Sequence, residues 1–519
     1  MTELKSFVSG KWVKGGGKPA ELVNPATEEV MATASTDGVD FGAALAFARD
    51  KGGPALRSMT FTKRGEMLRA MSRALHEKRD ELLDLAMQNG GSTRSDAKFD
   101  VDGAIGTLAA YADVAQGLGD TTVIVDGEGV ALGRSARLFG QHMYTSREGA
   151  AVHVNAFNFP AWGLAEKAAT ALLAGMPVIS KPATSTALVA HRMVEILAEG
   201  NHMPEGALSF VCGGAGDLLE RLTGQDVLAF TGSSHTAAKL RTGKGVVFAS
   251  ARINVEADSL NAAVLGPDVD EGSDVLNLFI TDVAREMTQK TGQKCTATRR
   301  IYVPAAKMAD VVERLRERLS AIKVGNPVSE GVTMGPVATA QQLADLKEGV
   351  AKLETCAKIV FGSVSNVSPI GAPSGKGYFC TPILLQGNNP QAGDAVHTHE
   401  VFGPVATVMP YDGTSAAAAA LVAAGGGGLV TSVYSDDKSF LRDIVLAIAP
   451  FHGRIVIGSA KVAGQSLPPG MALPQLIHGG PGRAGGGEEL GGVRGMTFYM
   501  QRTALQGDRA LLEAIAGKK

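Results

Sequence analysis

Cysteine is scarce in this chain: 519 residues hold four, Cys212, Cys295, Cys356 and Cys380. They lie far apart, without the paired spacing of a metal site or a disulfide framework, and read as reduced thiols of a cytoplasmic protein. An excess of one charge is lacking too. Lys and Arg number 50 against 52 Asp and Glu, a formal charge of −2, so there is no general electrostatic drive toward nucleic acid or an anionic membrane. Long apolar runs are missing. The most lipid-like stretch, residues 416–430, is mostly Ala and Gly and too short to span a bilayer. The opening MTELKSFVSGKWVKGGG has no apolar signal-peptide core, and no segment repeats at a solenoid period. A soluble protein with neither nucleic-acid nor membrane partners is the expectation.

What is present is an ordinary globular balance, 45% hydrophobic and 20% charged residues, in a length that suits two or three domains. The 65 Gly and 22 Pro are spread along the chain and fit many tight turns and ligand-facing loops. SFVSGKWV and EEVMATAS read as short β segments, and residues 62–87 as a helical region with Leu68, Met71, Leu75 and Leu82–Leu83 near helical spacing. TTVIVDGEGVAL carries an Asp-Gly turn signal within a β-rich stretch. From VHVNAF onward strands and helices alternate: AEKAATALLAG with Gly175 as its stop, PVISKP, ALVAHRMVEILAEG, VLAF, the turn TGSS and HTAAKLR. This alternation predicts a parallel sheet with helices on its faces. A second α/β region runs from about 260 to 464, and the Gly/Pro-rich stretch 465–489 reads as a loop wrapping a surface.

Most single cysteines are small buried hydrophobes, the reading given to Cys212, Cys356 and Cys380. Cys295 differs in its setting, TGQKCTATRR, after a helix-like segment with a glycine and cations close by. Such surroundings can lower a thiol pKa below its usual value of about 8.5. No Gly-x-Gly-x-x-Gly marks a cofactor site; Gly213, Gly214 and Gly216 in CGGAGD are a near miss. His397-Thr398-His399-Glu400 looks like a metal cluster, because alternate histidines on a strand share a face, but no further ligand set accompanies it, and no metal is assigned.

FNFPAW at 157–162, KPAT at 181–184, FTGSS at 230–234, VEADSLN at 255–261, GQKCTATRR at 292–300 and HEVFGPV at 399–405, with NPATEEV, VGNP and GPV, follow one another in a definite order. In that order they resemble the aldehyde dehydrogenase superfamily over nearly the whole chain. EADSLN and GQKCTA further resemble the subgroup serving phenylacetate and benzoyl-CoA degradation. The chain ends where a fused hydratase domain would begin, which favours a stand-alone enzyme. The resemblance implies Cys295 as nucleophile, Asn158 as side-chain oxyanion donor, and Glu256 as the base that activates water, a role for which burial would raise its pKa. Lys167 and Glu489 match positions linked to proton transfer, with a solvated surface charge as the plain alternative for each. The cofactor contacts implied are Phe157, Lys181, Pro182, Ala183, Thr184, Gly214, Phe230, Thr231, Gly232, Ser233, Ala257, Asp258, Glu400 and Phe402. Ser233 would open a helix whose N-terminal N–H groups favour a pyrophosphate. Thr184 stands where many NAD-preferring relatives carry an acid, which favours NADP over NAD.

The same resemblance implies a Rossmann-like cofactor domain (1–128 and 148–259), an α/β catalytic domain (260–464), and an oligomerisation hairpin (129–147) joined by the tail (465–519) in a homodimer. The implied reaction is NADP-dependent oxidation of an aldehyde to an acid through a thiohemiacetal and thioester on Cys295. The implied substrate is 3,4-dehydroadipyl-CoA semialdehyde in aerobic benzoate degradation. A free aliphatic semialdehyde, a CoA-acylating dehydrogenase and a non-catalytic relative are the alternatives.

Overall fold

In the computed structural model, which describes residues 2–388 and 391–517, the alternating segments form a parallel sheet. Residues 1, 518 and 519, at the ends of the expected first and last segments, lie outside the described residues. The sheet runs Arg252–Glu256, Val227–Thr231, Ala151–Val154, Val178–Lys181 and Leu208–Phe210, all parallel, and continues into the antiparallel pair Ser6–Val8 and Lys11–Val13. Its central strands are buried and largely apolar, with His153 and Ser180 as buried polar exceptions, because helices cover both faces. One of these helices, Pro160–Ala174, is buried at every position but Trp162; Pro160 opens it and Gly175, at φ +87°, ends it. The helical region near 62–87 is two helices, Phe61–Glu77 and Arg79–Gly90, parted at Lys78.

A second sheet follows the order Lys358–Phe361, Ile383–Gln386, Val405–Tyr411, Thr298–Pro304, Asn261–Leu265, Gly428–Tyr434 and His452–Gly458. Its first pair is antiparallel and the others are parallel. The chain passes from one sheet to the other between Glu256 and Asn261, so the motif VEADSLN is the bridge between them.

A third sheet of three strands joins Ile124–Ala131, Leu138–Ser146 and the distant Met500–Asp508. The Asp126-Gly127 turn signal proves to be a register break inside a strand, with Gly127 at φ +69°, and the reversal comes at 132–137. Residues 500–508 pair with Leu138–Ser146 along its full length, and pairing of Ile124–Ala131 with the other edge of that strand overrides the local turn preference. The tail also differs from a plain loop. Ile477–Gly479 and Glu488–Leu490 pair antiparallel and lie against the bridge: Gly487 N–H donates to the Val255 carbonyl (3.0 Å), and Ala257 N–H to that of Ala484 (2.9 Å). No helix among the described residues is long and apolar enough to cross a membrane.

Candidate active site

Parallel strands present their carboxyl ends along one edge, where chain reversals leave a crevice. Here that edge carries Val154, Lys181, Thr231 and Glu256, and the crevice is a cavity of about 650 Å³. Of the residues expected to meet a cofactor, Phe157, Lys181, Ala183, Phe230, Thr231, Gly232, Ser233, Ala257, Asp258, Glu400 and Phe402 line it, as do Asn158, Glu256 and Cys295. Pro182 and Thr184 adjoin it in sequence, Thr184 opening the turn Thr184–Thr186 beside Lys181. Gly214 does not reach it: its carbonyl accepts from Thr36 Oγ1 (2.7 Å) and it lines a separate surface hollow. Arg483 and Lys352, which no sequence motif marked, line the cleft as well.

The cleft fits a dinucleotide in size and in unmet polarity. Thr231 Oγ1 and Glu400 Oε1 are buried without hydrogen-bond partners, and burial pushes the Glu400 carboxyl up to about 7. Ser233 caps the helix Ser234–Arg241, accepting from Thr236 N–H (3.3 Å). Asp258 takes the N–H and hydroxyl of Ser234 (3.0 and 2.6 Å). Two of the helix-opening N–H groups that the sequence assigned to a pyrophosphate are therefore met by the protein itself.

The unusual EADSLN string is explained by what it holds. Ser259 N–H donates to Glu400 (3.2 Å), Ser259 Oγ donates to Asn261 (2.7 Å), and Asn261 Nδ2 donates to the carbonyls of Cys295 (2.7 Å) and Ala297 (2.9 Å). The backbone of Cys295 is thus tied directly to the bridge. Before it, Lys290, Thr291 and Gly292 all have left-handed φ, between +52° and +66°. Strain of this kind persists only where the surroundings fix it. Here Thr291 Oγ1 donates to the Gly335 carbonyl (3.0 Å), and a side chain at Gly292 would strike the Gly403 carbonyl. Asn158, in the turn before Pro160, donates one amide hydrogen to the Gln293 carbonyl (2.9 Å), two residues from Cys295.

Cys295 stands where the cleft meets a second cavity of about 570 Å³, lined by Phe99, Phe159, Trp162, Met471 and Leu473. The nearby cations do not lower its pKa as their proximity in sequence suggested. Lys294 is turned away onto Glu286 (2.7 Å) and Gln289 (2.9 Å), and Arg299 reaches the Gly403 carbonyl (2.6 Å) and Glu400 (3.8 Å). Burial, with Glu256, Glu166 and Glu400 nearby, pushes the thiol well up. Glu256 departs from expectation in the opposite sense. Burial alone would raise its carboxyl, but His478, at 3.1 Å, together with Lys167 holds it below the usual range.

Lys167 and Glu489 are not surface charges. Lys167, 1% exposed, pairs with Glu166 (2.7 Å) and Glu489 (3.1 Å), and Asn254 donates to Glu489 (3.3 Å). His478, which sequence reading passed over, sits on the short tail strand with Nε2 3.8 Å from Cys295 Sγ. A lone histidine in a Gly/Pro-rich stretch carries no periodic signal; only the strand pair it belongs to brings it inward. The donor atoms of Glu256, Cys295 and His478 lie within 4.8 Å of one another, as do those of Glu166, Glu256 and Glu489. His397 serves structure instead: it lies on the short helix Ala395–Thr398, not on a strand, with Nδ1 3.2 Å from Arg300.

A sequence model of the Aldehyde dehydrogenase family matches residues 12–505. A 3,4-dehydroadipyl-CoA semialdehyde dehydrogenase of Aromatoleum evansii is 46% identical over 92% of this chain and 93% of its own. Among solved structures, a lactaldehyde dehydrogenase from Escherichia coli superposes with a TM-score of 0.83 at 22% identity, covering 97% of this chain and 99% of that one. A betaine aldehyde dehydrogenase from Staphylococcus aureus in complex with NAD+ gives 0.83 at 22%, covering 98% of each chain. These two likenesses concern the fold.

Proposed function

This chain belongs to the aldehyde dehydrogenase family, whose members are NAD(P)-dependent aldehyde oxidoreductases, and from that premise we propose that it oxidises a CoA-linked semialdehyde, 3,4-dehydroadipyl-CoA semialdehyde, with NADP. The observation that carries the proposed chemistry is the position of Cys295 at the junction of two cavities, one fitted to a dinucleotide and one walled by apolar side chains.

An aldehyde reaching Cys295 through the apolar cavity is attacked at its carbonyl carbon by Sγ, forming a thiohemiacetal. The remaining amide hydrogen of Asn158 and the backbone N–H of Cys295 stabilise the oxyanion. Lys181, Ser233, Glu400 and Phe402 would hold the cofactor, which when bound supplies the nicotinamide that accepts the hydride. Glu256, kept ionised, then takes a proton from water as it attacks the thioester. Lys167, Glu166 and Glu489 stand behind Glu256 as a buried ionic group that receives that proton. Retention of Glu256 favours hydrolysis over transfer to CoA, and the trio Cys295, Asn158 and Glu256 speaks against a non-catalytic role.

Two features support the finer reading. The curated relative at 46% identity acts, by its name, on a CoA-linked semialdehyde, and Lys98, exposed beside the apolar cavity, offers a cation to the phosphates of such a carrier. Thr184 beside Lys181 leaves no carboxylate at its own position to repel a 2′-phosphate. The three-stranded arm exposes Val130, Leu132 and Leu138, which suits a homodimer that covers them.

The test is absorbance at the reduced-nicotinamide band, with NADP and NAD compared on the CoA-linked and a free aliphatic semialdehyde. The reading expects preference for NADP and the CoA-linked aldehyde. Equal or faster turnover of the free aldehyde overturns the substrate assignment, and preference for NAD overturns the reading of Thr184.

A further inference from the structure

The helix Arg94–Leu118 carries two buried carboxylates in its first turns, Asp96 and Asp100, one turn apart and so on one face. Each holds a different segment. Asp100 accepts at both oxygens from the start of the helix Pro160–Ala174, Oδ1 from Trp162 N–H (2.8 Å) and Oδ2 from Ala161 N–H (3.3 Å). Phe159, at the N-cap, supplies no side-chain cap, so the carboxylate of another helix satisfies these opening N–H groups. Asn158 and Phe159 lead directly into that helix. Asp96 takes the Thr93 hydroxyl (2.8 Å) and the backbone N–H of Lys290, the first of the three residues with left-handed φ before Cys295. Lys290 belongs to both sides. Its carbonyl accepts from the N–H (3.0 Å) and the side-chain amide (3.3 Å) of Gln293, whose own carbonyl receives Asn158. Its buried ammonium lies over the Phe159 ring, 4.5 Å from the centroid, and Lys290 shares a cavity of about 20 Å³ with Asp100, Asn158 and Gln293. Asp100 and Asp96 supply the opposite charge that a buried ammonium needs.

We propose that Asp100 and Lys290 are positioning residues for attack on the carbonyl: they fix the segment bearing Asn158 against the loop bearing the Cys295 N–H, so that both donors meet one oxygen. Two donors stabilise an oxyanion only where each stands within hydrogen-bond reach of the same point, and these two come from segments 137 positions apart (295 − 158 = 137). Asn158 is tied to the loop directly by one amide hydrogen, on the Gln293 carbonyl. A single bond of this kind is a pivot; a second attachment through a rigid helix removes the rotation. The carboxylate is suited to the task because both its oxygens accept, whereas an amide at position 100 would set an NH₂ against one of the two N–H donors. Neither side chain lines either large cavity, so each acts through the segments it holds. The inference rests on the roles proposed above for Cys295 and Asn158, and it does not depend on the identity of the aldehyde.

The experiment compares two reactions of Cys295 in the intact enzyme, both followed by peptide mapping. p-Nitrophenyl acetate acetylates the thiol by addition to a carbonyl, which puts negative charge on the carbonyl oxygen. Iodoacetamide alkylates it by displacing iodide and forms no such oxyanion. Asp100→Asn and Lys290→Gln are expected to slow acetylation about tenfold or more, while alkylation and cofactor binding, read by fluorescence quenching, stay at wild-type levels. Lys290→Arg is expected to restore most of the acetylation rate. Adding Asp100→Asn to Asn158→Ala should slow acetylation little beyond Asn158→Ala alone, because the donor to be positioned is already gone. Equal slowing of both reactions, wild-type acetylation in Asp100→Asn, or full additivity in the double variant overturns the proposal. If Lys290→Gln does not fold, Asp100→Asn and the double variant decide. Acetylation of the wild type away from Cys295, or a rate that Asn158→Ala leaves unchanged, would instead remove the roles beneath it.

Discussion

The two cavities that meet at Cys295 are built by different means. The cofactor cleft is made at the ends of parallel strands, where the strand-end turns contribute contiguous strings, residues 154–158, 230–233 and 256–258 among them. The apolar cavity is walled by one face of the helix Arg94–Leu118, the start of Pro160–Ala174 and the loop 470–475. A turn at a strand end has demanding local chemistry, so it is written as a short contiguous string. A wall made of helix faces is written at intervals of three and four and can change size without changing the fold. The cleft is therefore written mainly in contiguous motifs, and the apolar cavity mainly in scattered residues of helix faces.

The sharpest break falls at the point both cavities share. Cys295→Ala is expected to lower turnover about 10⁴-fold or more while leaving cofactor affinity in place, measured by steady-state absorbance and equilibrium binding. Glu256→Gln should release one equivalent of reduced cofactor and then run about a hundredfold slower, a burst visible by stopped flow. Full steady-state activity in that variant would remove Glu256 as the base.

Next in size is the buried ionic group behind the shared point. Lys167→Met leaves Glu166 and Glu489 without their cation and is expected to cost roughly 3–5 kcal/mol of stability, read from urea unfolding. Adding Glu489→Gln should restore part of that loss. An unchanged unfolding midpoint in the single variant would show that the carboxyls are already neutral.

On the aldehyde side alone, Gly106 faces the cavity with nothing within 4 Å of where a side chain would begin. Gly106→Leu is expected to raise KM about tenfold for a CoA-linked aldehyde, equivalent to about 1.4 kcal/mol, and to leave a short free aldehyde unaffected. Equal effects on both would mean that the large substrate does not pass that face.

The smallest effect belongs to the cofactor side. Burial lifts the Glu400 carboxyl from 4.5 to about 7, so the carboxylate forms only as pH rises through neutrality. Cofactor affinity should therefore increase between pH 6 and 8. The sign for stability is opposite: the folded state holds this proton more tightly than the unfolded chain, so the group costs stability increasingly as pH rises from about 4.5 to about 7. Glu400→Gln should flatten both dependences, measured by isothermal titration and by thermal unfolding across that range.

Family membership, the alternation that builds the parallel sheet, Lys181, Ser233 and Glu256 at the ends of strands, and Glu400 in the loop before Val405–Tyr411 were legible in the sequence, because each depends on local periodicity or on a contiguous turn. Cys295 and Asn158 were legible for the same reason. The electrostatics of those residues were not. Whether Lys294 lowers the Cys295 pKa depends on Glu286, eight residues away on a neighbouring helix, which claims it first. Whether burial raises Glu256 depends on His478, 222 positions downstream (478 − 256 = 222). The placement of Lys167 and Glu489 inside the protein, and of Gly214 outside the cleft, likewise followed from how distant segments fold back on one another. Sequence by itself determined the strand-end turns of the first sheet and which reactive groups they carry; the tertiary structure alone decided their charges, because a buried group's protonation is set by its nearest partners in space, and those come from distant parts of the chain.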